Sequence, residues 1–197
     1  MLKVGITGGI GSGKSTLCSL FKDLGIAIYN SDSQAKRLMS EDAELRREII
    51  DNFGPDSYIE GQLNRHYLAA KVFSNSDSLS KLNSLVHPRV KDDFEKWCHL
   101  QDSPYVILEC AILFEGDFDK YVDRTLCVLS PKQLRVERII SRDNLTSEEI
   151  NNRIAAQLAD EKINALSDFC VVNIDIEDLE NAATIFDKRF RHEAECI

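Results

Sequence analysis

No apolar run in the 197-residue chain approaches the ~18 residues that a membrane-crossing helix needs, so no membrane partner is expected. Nor does the opening MLKVGITGG have the layout of a secretory leader, because it starts directly on a short strand-like run. Positive charge is in the minority: 24 Lys and Arg stand against 33 Asp and Glu, a formal net charge of −9. That balance argues against nonspecific binding to nucleic acid or to an anionic membrane. It leaves small anionic ligands open, since a site needs only a few local cations. No C-x-x-C pair occurs among the six cysteines, and Cys110 and Cys127 lie within apolar runs. The expectation is a cytoplasmic protein with reduced, partly buried thiols. Internal repeats and low-complexity segments are also lacking. What is present is an ordinary globular composition, 43% hydrophobic and 29% charged, long enough for one domain with an inserted subdomain.

Strand-like and helix-like stretches alternate. Leu2 to Thr7 reads as a buried strand, followed by a glycine-rich turn. Leu17, Leu20, Phe21 and Leu24 then recur at helical spacing, and Gly25 ends that helix. Further β-type runs are Ile26–Tyr29, Tyr105–Cys110, Thr125–Leu129 and Phe169–Ile174. Near-continuous apolar strands separated by helices imply a parallel sheet covered on both faces. Residues 33 to about 100 read as almost wholly helical, with no convincing strand. Helices are expected at Asp42–Phe53, Arg65–Phe73, Ser78–Val86 and Pro88–Leu100, as an insertion beside the sheet. Residues 131–160 read as helical and arginine-rich, with Thr146-Ser147-Glu148-Glu149 as a capping box.

Gly8-Gly9-Ile10-Gly11-Ser12-Gly13-Lys14-Ser15 fits G-x-x-x-x-G-K-[ST], with a strand before it and a helix after. Glycines let the backbone curl so that successive N–H groups face phosphate oxygens, and the helix adds its positive end. Lys14 would reach the β and γ phosphates, and the Ser15 hydroxyl would bind Mg²⁺. The pattern indicates a nucleoside triphosphate without fixing the reaction. Guanine-specific switches usually need N-K-x-D, which is lacking here. Asp51-Asn52-Phe53-Gly54 fits D-x-x-G but ends a helix instead of a strand.

Phosphoryl transfer needs a carboxylate to orient or deprotonate the acceptor and cations around the moving group. Asp32 follows the second strand, at the sheet edge where ligands gather, although an Asp there also suits a helix N-cap. Arg135, Arg138 and Arg142 share a helix face at i, i+3, i+7, and Arg153 lies on the next helix. The four guanidinium groups could close over a triphosphate, or form a solvated basic face. Glu109 ends the third strand of the sheet and could hold a Mg²⁺-bound water. Glu115 could be a second site acid, and either could be a solvated strand-end charge. His87, before Pro88, reads as the start of a helix, more naturally an N-terminal contact than a catalytic group.

Together these pieces resemble the dephospho-CoA kinase family. They are residues 5–16, Asp32, Gly61-Gln62-Leu63-Asn64-Arg65 with Val72-Phe73, His87-Pro88, Leu113-Phe114-Glu115, Arg138 with Arg142-Asp143, and Arg153-Ile154-Ala155-Ala156-Gln157. They follow the family's order over nearly the whole chain. The resemblance implies transfer of the ATP γ-phosphate to the ribose 3′-hydroxyl of dephospho-CoA. It implies a three-layer α/β/α P-loop fold with a five-stranded parallel sheet: a core of about 1–32, 103–130 and 161–197, a helical CoA-binding insertion of about 33–102, and a lid of about 131–160. On that pattern Gly8, Gly9, Gly11, Ser12, Gly13, Lys14, Ser15 and Thr16 cradle ATP; Ser15 and Glu109 remain the expected Mg²⁺ site read from the residues themselves. Asp32 falls at the proposed general base, Arg138 and Arg142 fall in the lid with Arg142 at the ATP-contacting position, Asn173 lies near the adenine, and Arg65 and His87 map to the acceptor side.

Three positions depart from the family. Asn30 replaces an expected acid, Ala111 a usual proline, and Lys36, beside Arg37, a frequent arginine. The alternatives on residues alone are another small-molecule P-loop kinase, such as a nucleoside monophosphate kinase, or a nonenzymatic nucleotide switch.

Overall fold

The computed structural model describes residues 1–73, 76–143 and 146–196. The chain divides into two compact units, Met1–Asn30 with Leu100–Ile197, and Ser31–His99. Strands and helices are numbered along the whole chain.

The first unit is built on five parallel strands: β1 (Leu2–Thr7), β2 (Ala27–Asn30), β5 (Tyr105–Glu109), β6 (Arg124–Leu129) and β7 (Phe169–Val172). Their order is β2-β5-β1-β6-β7, with Val4 beside Ile107 and Ile6 beside Leu126 in register. The expected five-stranded parallel sheet is therefore present. Its central strands are apolar throughout because both faces are covered. On one face Val4, Ile6, Tyr105, Ile107, Leu126 and Val128 pack with α1 (Lys14–Asp23) and α9 (Ile176–Ala194). Phe21, Tyr105 and Phe190 form an edge-on aromatic cluster there. Side chains alternate along a strand, so Cys127 points to the other face, where its Sγ donates to Asn164 Oδ1 on α8 (Asp160–Leu166) at 3.9 Å.

After β6 come α6 (Lys132–Asp143) and α7 (Ser147–Ala155). The expected capping box is formed: Thr146 N–H donates to Glu149 Oε2 at 2.8 Å, and Glu149 N–H to Thr146 Oγ1 at 3.3 Å. Residues 144 and 145 of this stretch lie outside the described residues. No helix among the described residues is long and apolar enough to cross a membrane.

The second unit consists of α2 (Ser31–Glu41), α3 (Ala43–Phe53), α4 (Arg65–Phe73), α5 (Ser76–Cys98) and a small hairpin, β3 (Tyr58–Ile59) with β4 (Gln62–Leu63). Asp42 caps α3 by accepting from the N–H groups of Glu44 and Leu45, and Gly54 ends it. Two expectations fail here. The hairpin was not expected: each strand has only two residues, too few to show alternation, and its turn depends on positive φ at Glu60 (49°) and Gly61 (85°). The break at His87-Pro88 is also absent, since α5 runs unbroken for 23 residues with Pro88 inside it. Proline removes one backbone donor and crowds the preceding turn. Val86, Val90, Phe94 and Cys98, four residues apart, are all buried and hold the helix together across that defect. His87 is accordingly mid-helix, not at an N-terminus.

Pro88→Ala should restore the missing donor and raise the unfolding free energy by about 1–3 kcal/mol, as read by urea denaturation. A variant no more stable than the parent would show that packing has already absorbed the proline's cost.

Candidate active site

The glycine-rich turn leaves the carboxyl end of β1 and enters α1. Gly8 and Gly13 have φ of 142° and 106°, in the range that favours glycine. A Cβ on Gly8 would stand 2.2 Å from the Val128 carbonyl oxygen, and one on Gly13 2.1 Å from Asn173 Nδ2. Both glycines are thus required by conformation and by space. Helix α1 has no side-chain N-cap and no acidic residue in its first turn, an arrangement suited to an anion. Lys14 folds back over the turn, its Nζ donating to the carbonyls of Gly8 at 2.6 Å and Gly9 at 3.0 Å. Ser15 and Thr16 are exposed on the first turn of α1, whereas the Ser12 hydroxyl is buried without a hydrogen-bond partner.

Glu109, only 8% exposed at the end of β5, joins two strand ends. Its Oε1 accepts from Ser15 Oγ at 2.5 Å and its Oε2 from Asn30 Nδ2 at 2.6 Å. Asn30 lies beside Glu109 in the β2–β5 register. An acid at position 30 would set two carboxylates at hydrogen-bond distance. The asparagine instead donates to Glu109, which accounts for its place here. A hydroxyl and a carboxylate oxygen are the donors a hard divalent cation takes, so Ser15 and Glu109 fit Mg²⁺. Cys18 lies buried nearby in the core; burial, and then Glu109, push its thiol well up.

The other candidates in this unit serve the turn more than open space. Asn173 is 3% exposed; its N–H donates to Leu129 O at 2.7 Å and its Nδ2 to Ser12 O at 2.6 Å. Its side-chain amide is therefore committed to the loop. Arg138 donates to Ser130 Oγ (3.1 Å), Asn173 Oδ1 (3.4 Å) and the Ile174 carbonyl (2.8 Å), bracing the end of β7. Arg135 does not join a set of phosphate-facing arginines. It is 3% exposed, its Nη1 holds both oxygens of Asp160, and its Nε donates to the Ile10 carbonyl at 2.8 Å. Glu115 accepts from the Leu158 N–H at 3.0 Å, so it serves as an anchor for that segment. Arg142 and Arg153 remain on exposed helix surface. The sequence reading missed the inward use of Arg135 and the contact from Gln157 Oε1 to the Ile10 N–H. The capture of Gln157 in the Arg-Ile-Ala-Ala-Gln run was its only signal.

In the second unit, Asp32 occupies the first turn of α2, two residues beyond Asn30 in the chain. Arg65 begins α4 and lines a cavity of about 490 Å³ with Ser40, Gly61, Gln62 and Leu63. The half-buried His87 imidazole is held below its ordinary range, first by burial and then by Lys91.

A parallel sheet with its strand ends gathered under a glycine loop, a loop lysine and a Ser–Glu oxygen pair defines a P-loop nucleotide-binding fold. The family model for dephospho-CoA kinase matches residues 2–178. A dephospho-CoA kinase of Bacteroides fragilis is 39% identical over 173 residues, 87% of this chain and 84% of the relative. One of Salinibacter ruber is 38% identical over 193 residues, covering 96% and 93%. The crystal structure of TT1252 from Thermus thermophilus superposes with a TM-score of 0.82 at 32% identity, covering 95% of this chain and 97% of that one. The chain belongs to the dephospho-CoA kinase family.

Because the folded His87 resists protonation, the unfolded chain takes up its proton first as pH falls through about 6.5. Stability should therefore decline between pH 7.5 and 5.5, and His87→Asn should flatten that part of a urea-midpoint profile. An unchanged slope in the variant would assign the decline to other groups.

Proposed function

We infer that the chain transfers the γ-phosphoryl group of ATP to the ribose 3′-hydroxyl of dephospho-CoA, giving coenzyme A and ADP, the final step of CoA biosynthesis. The reading is carried by one arrangement, the loop of residues 8–16 opening beside Ser15 and Glu109, in a chain of this family.

The loop amides and the positive end of α1 bind the triphosphate, and Lys14 swings from the Gly8 and Gly9 carbonyls to the β and γ oxygens. Ser15 and Glu109 would hold Mg²⁺, which when bound neutralises phosphate oxygens. Asp32 orients the acceptor hydroxyl and takes its proton as the new O–P bond forms and the bond to the ADP oxygen breaks. A loose transition state asks little base strength of it. Arg65, in its cavity, and His87 bind the acceptor. Helices α6 and α7 form the lid: Arg142 contacts ATP from it, and Arg138, which also braces Ser130 and Ile174, serves the moving phosphoryl group. Closure excludes water and limits futile ATP hydrolysis. Asn173 contributes by fixing the loop beneath the nucleotide.

The direct test is incubation with ATP, Mg²⁺ and dephospho-CoA followed by mass analysis. Coenzyme A should form with stoichiometric ADP; no product, or ADP formed only with a nucleoside monophosphate, would contradict the reading. Asp32→Asn should lower kcat by about 10² or more with little change in KM for ATP. Near-normal turnover in that variant would remove Asp32 from the base role.

A further inference from the structure

Ile10, in the glycine loop, is held on both sides, by Gln157 from beyond α7 and by Arg135 of α6. Its N–H donates to Gln157 Oε1 at 2.7 Å. Its carbonyl accepts from Arg135 Nε at 2.8 Å, and Asp160 holds the same guanidinium through Nη1 at 2.9 and 3.0 Å. Between these two contacts, Leu158 N–H is fixed by Glu115 at 3.0 Å. The stretch from Gln157 to Asp160, the first residue of α8, is thus pinned at three points: Gln157 on Ile10 directly, Leu158 on Glu115, and Asp160 on the Arg135 that holds the Ile10 carbonyl. A side-chain amide is well suited to this place: it accepts one backbone hydrogen bond without setting a full negative charge where a triphosphate would lie.

The geometry points to Gln157 as a positioning residue for the phosphoryl donor. It contributes by fixing the Ile10 peptide, so that the neighbouring loop amides keep one orientation in the nucleotide-free protein. Preorganisation of this kind strengthens binding by removing the cost of ordering the loop. It leaves the reacting groups untouched, so its loss acts on KM and not on kcat. The inference rests on the reading that residues 8–16 hold ATP.

The test uses the full chain with Gln157→Leu, which keeps the side-chain bulk but removes the acceptor, and Gln157→Glu, which keeps an acceptor oxygen. Without nucleotide, amide hydrogen exchange at Ile10 should quicken about tenfold in Gln157→Leu and stay slow in Gln157→Glu, in line with loss of one hydrogen bond. KM for ATP in Gln157→Leu should rise about tenfold while kcat changes by less than about threefold. Lys14→Ala serves as the control. If Lys14→Ala abolishes ATP use while Gln157→Leu keeps the parental KM, the inference alone is overturned. The same holds if Gln157→Glu exchanges as fast as Gln157→Leu. If Lys14→Ala uses ATP normally, the loop reading beneath the inference fails as well.

Discussion

The carbonyl side of the glycine loop is claimed almost residue by residue, and the rest of the site follows from that. Lys14 takes the Gly8 and Gly9 carbonyls, Arg135 takes Ile10, Asn173 takes Ser12, and the Leu17 N–H takes Gly13. A peptide unit whose oxygen is fixed on one side must present its N–H on the other. Fixing the oxygens therefore aims the amides, and it does so before any anion arrives. Positive φ at Gly8, Gly11 and Gly13 makes the necessary curl possible, and close backbone approach leaves no room for a side chain at Gly8. The groups that fix the loop come from β7's end, from α6 and from the segment after α7, so elements far apart in the chain jointly set a few peptide orientations.

A second constraint is electrostatic. Glu109 is nearly buried at a strand end, where an unpaired carboxylate would be costly. Ser15 and Asn30 each donate to one of its oxygens. The pairing keeps a carboxylate beside the phosphate loop without adding a second negative charge. That gives the departure at position 30 a physical sense: Asn30 relieves a local repulsion that an acid would create in the nucleotide-free protein.

Much of this was legible in the sequence because the signals are local. β1, β5 and β6 are short Val/Ile/Leu-rich runs, and burial on both faces leaves that mark on sequence directly. The loop was legible because its glycines, lysine and serine are contiguous. What escaped depends on partners distant in the chain. The spacing of Arg135, Arg138 and Arg142 places them on one face of a helix. It cannot reveal that Arg135 is captured by Asp160, 25 residues on, and by Ile10, 125 residues back. The bond from Asn173 to Ser12 is invisible for the same reason, since it spans 161 residues. The reading of a break at Pro88 followed proline's local preference, which the buried stripe of α5 overrides. The β3–β4 hairpin was too short to be seen.

The central claim is that the inward amides of residues 8–16 are the ATP site. The most direct measurement is the change in their NMR amide shifts as ATP is added to the protein, alongside a calorimetric titration on the same sample. The account predicts that the largest shifts fall on residues 8–16 and saturate at the calorimetric stoichiometry. ATP binding seen by calorimetry with those amides unmoved would contradict it.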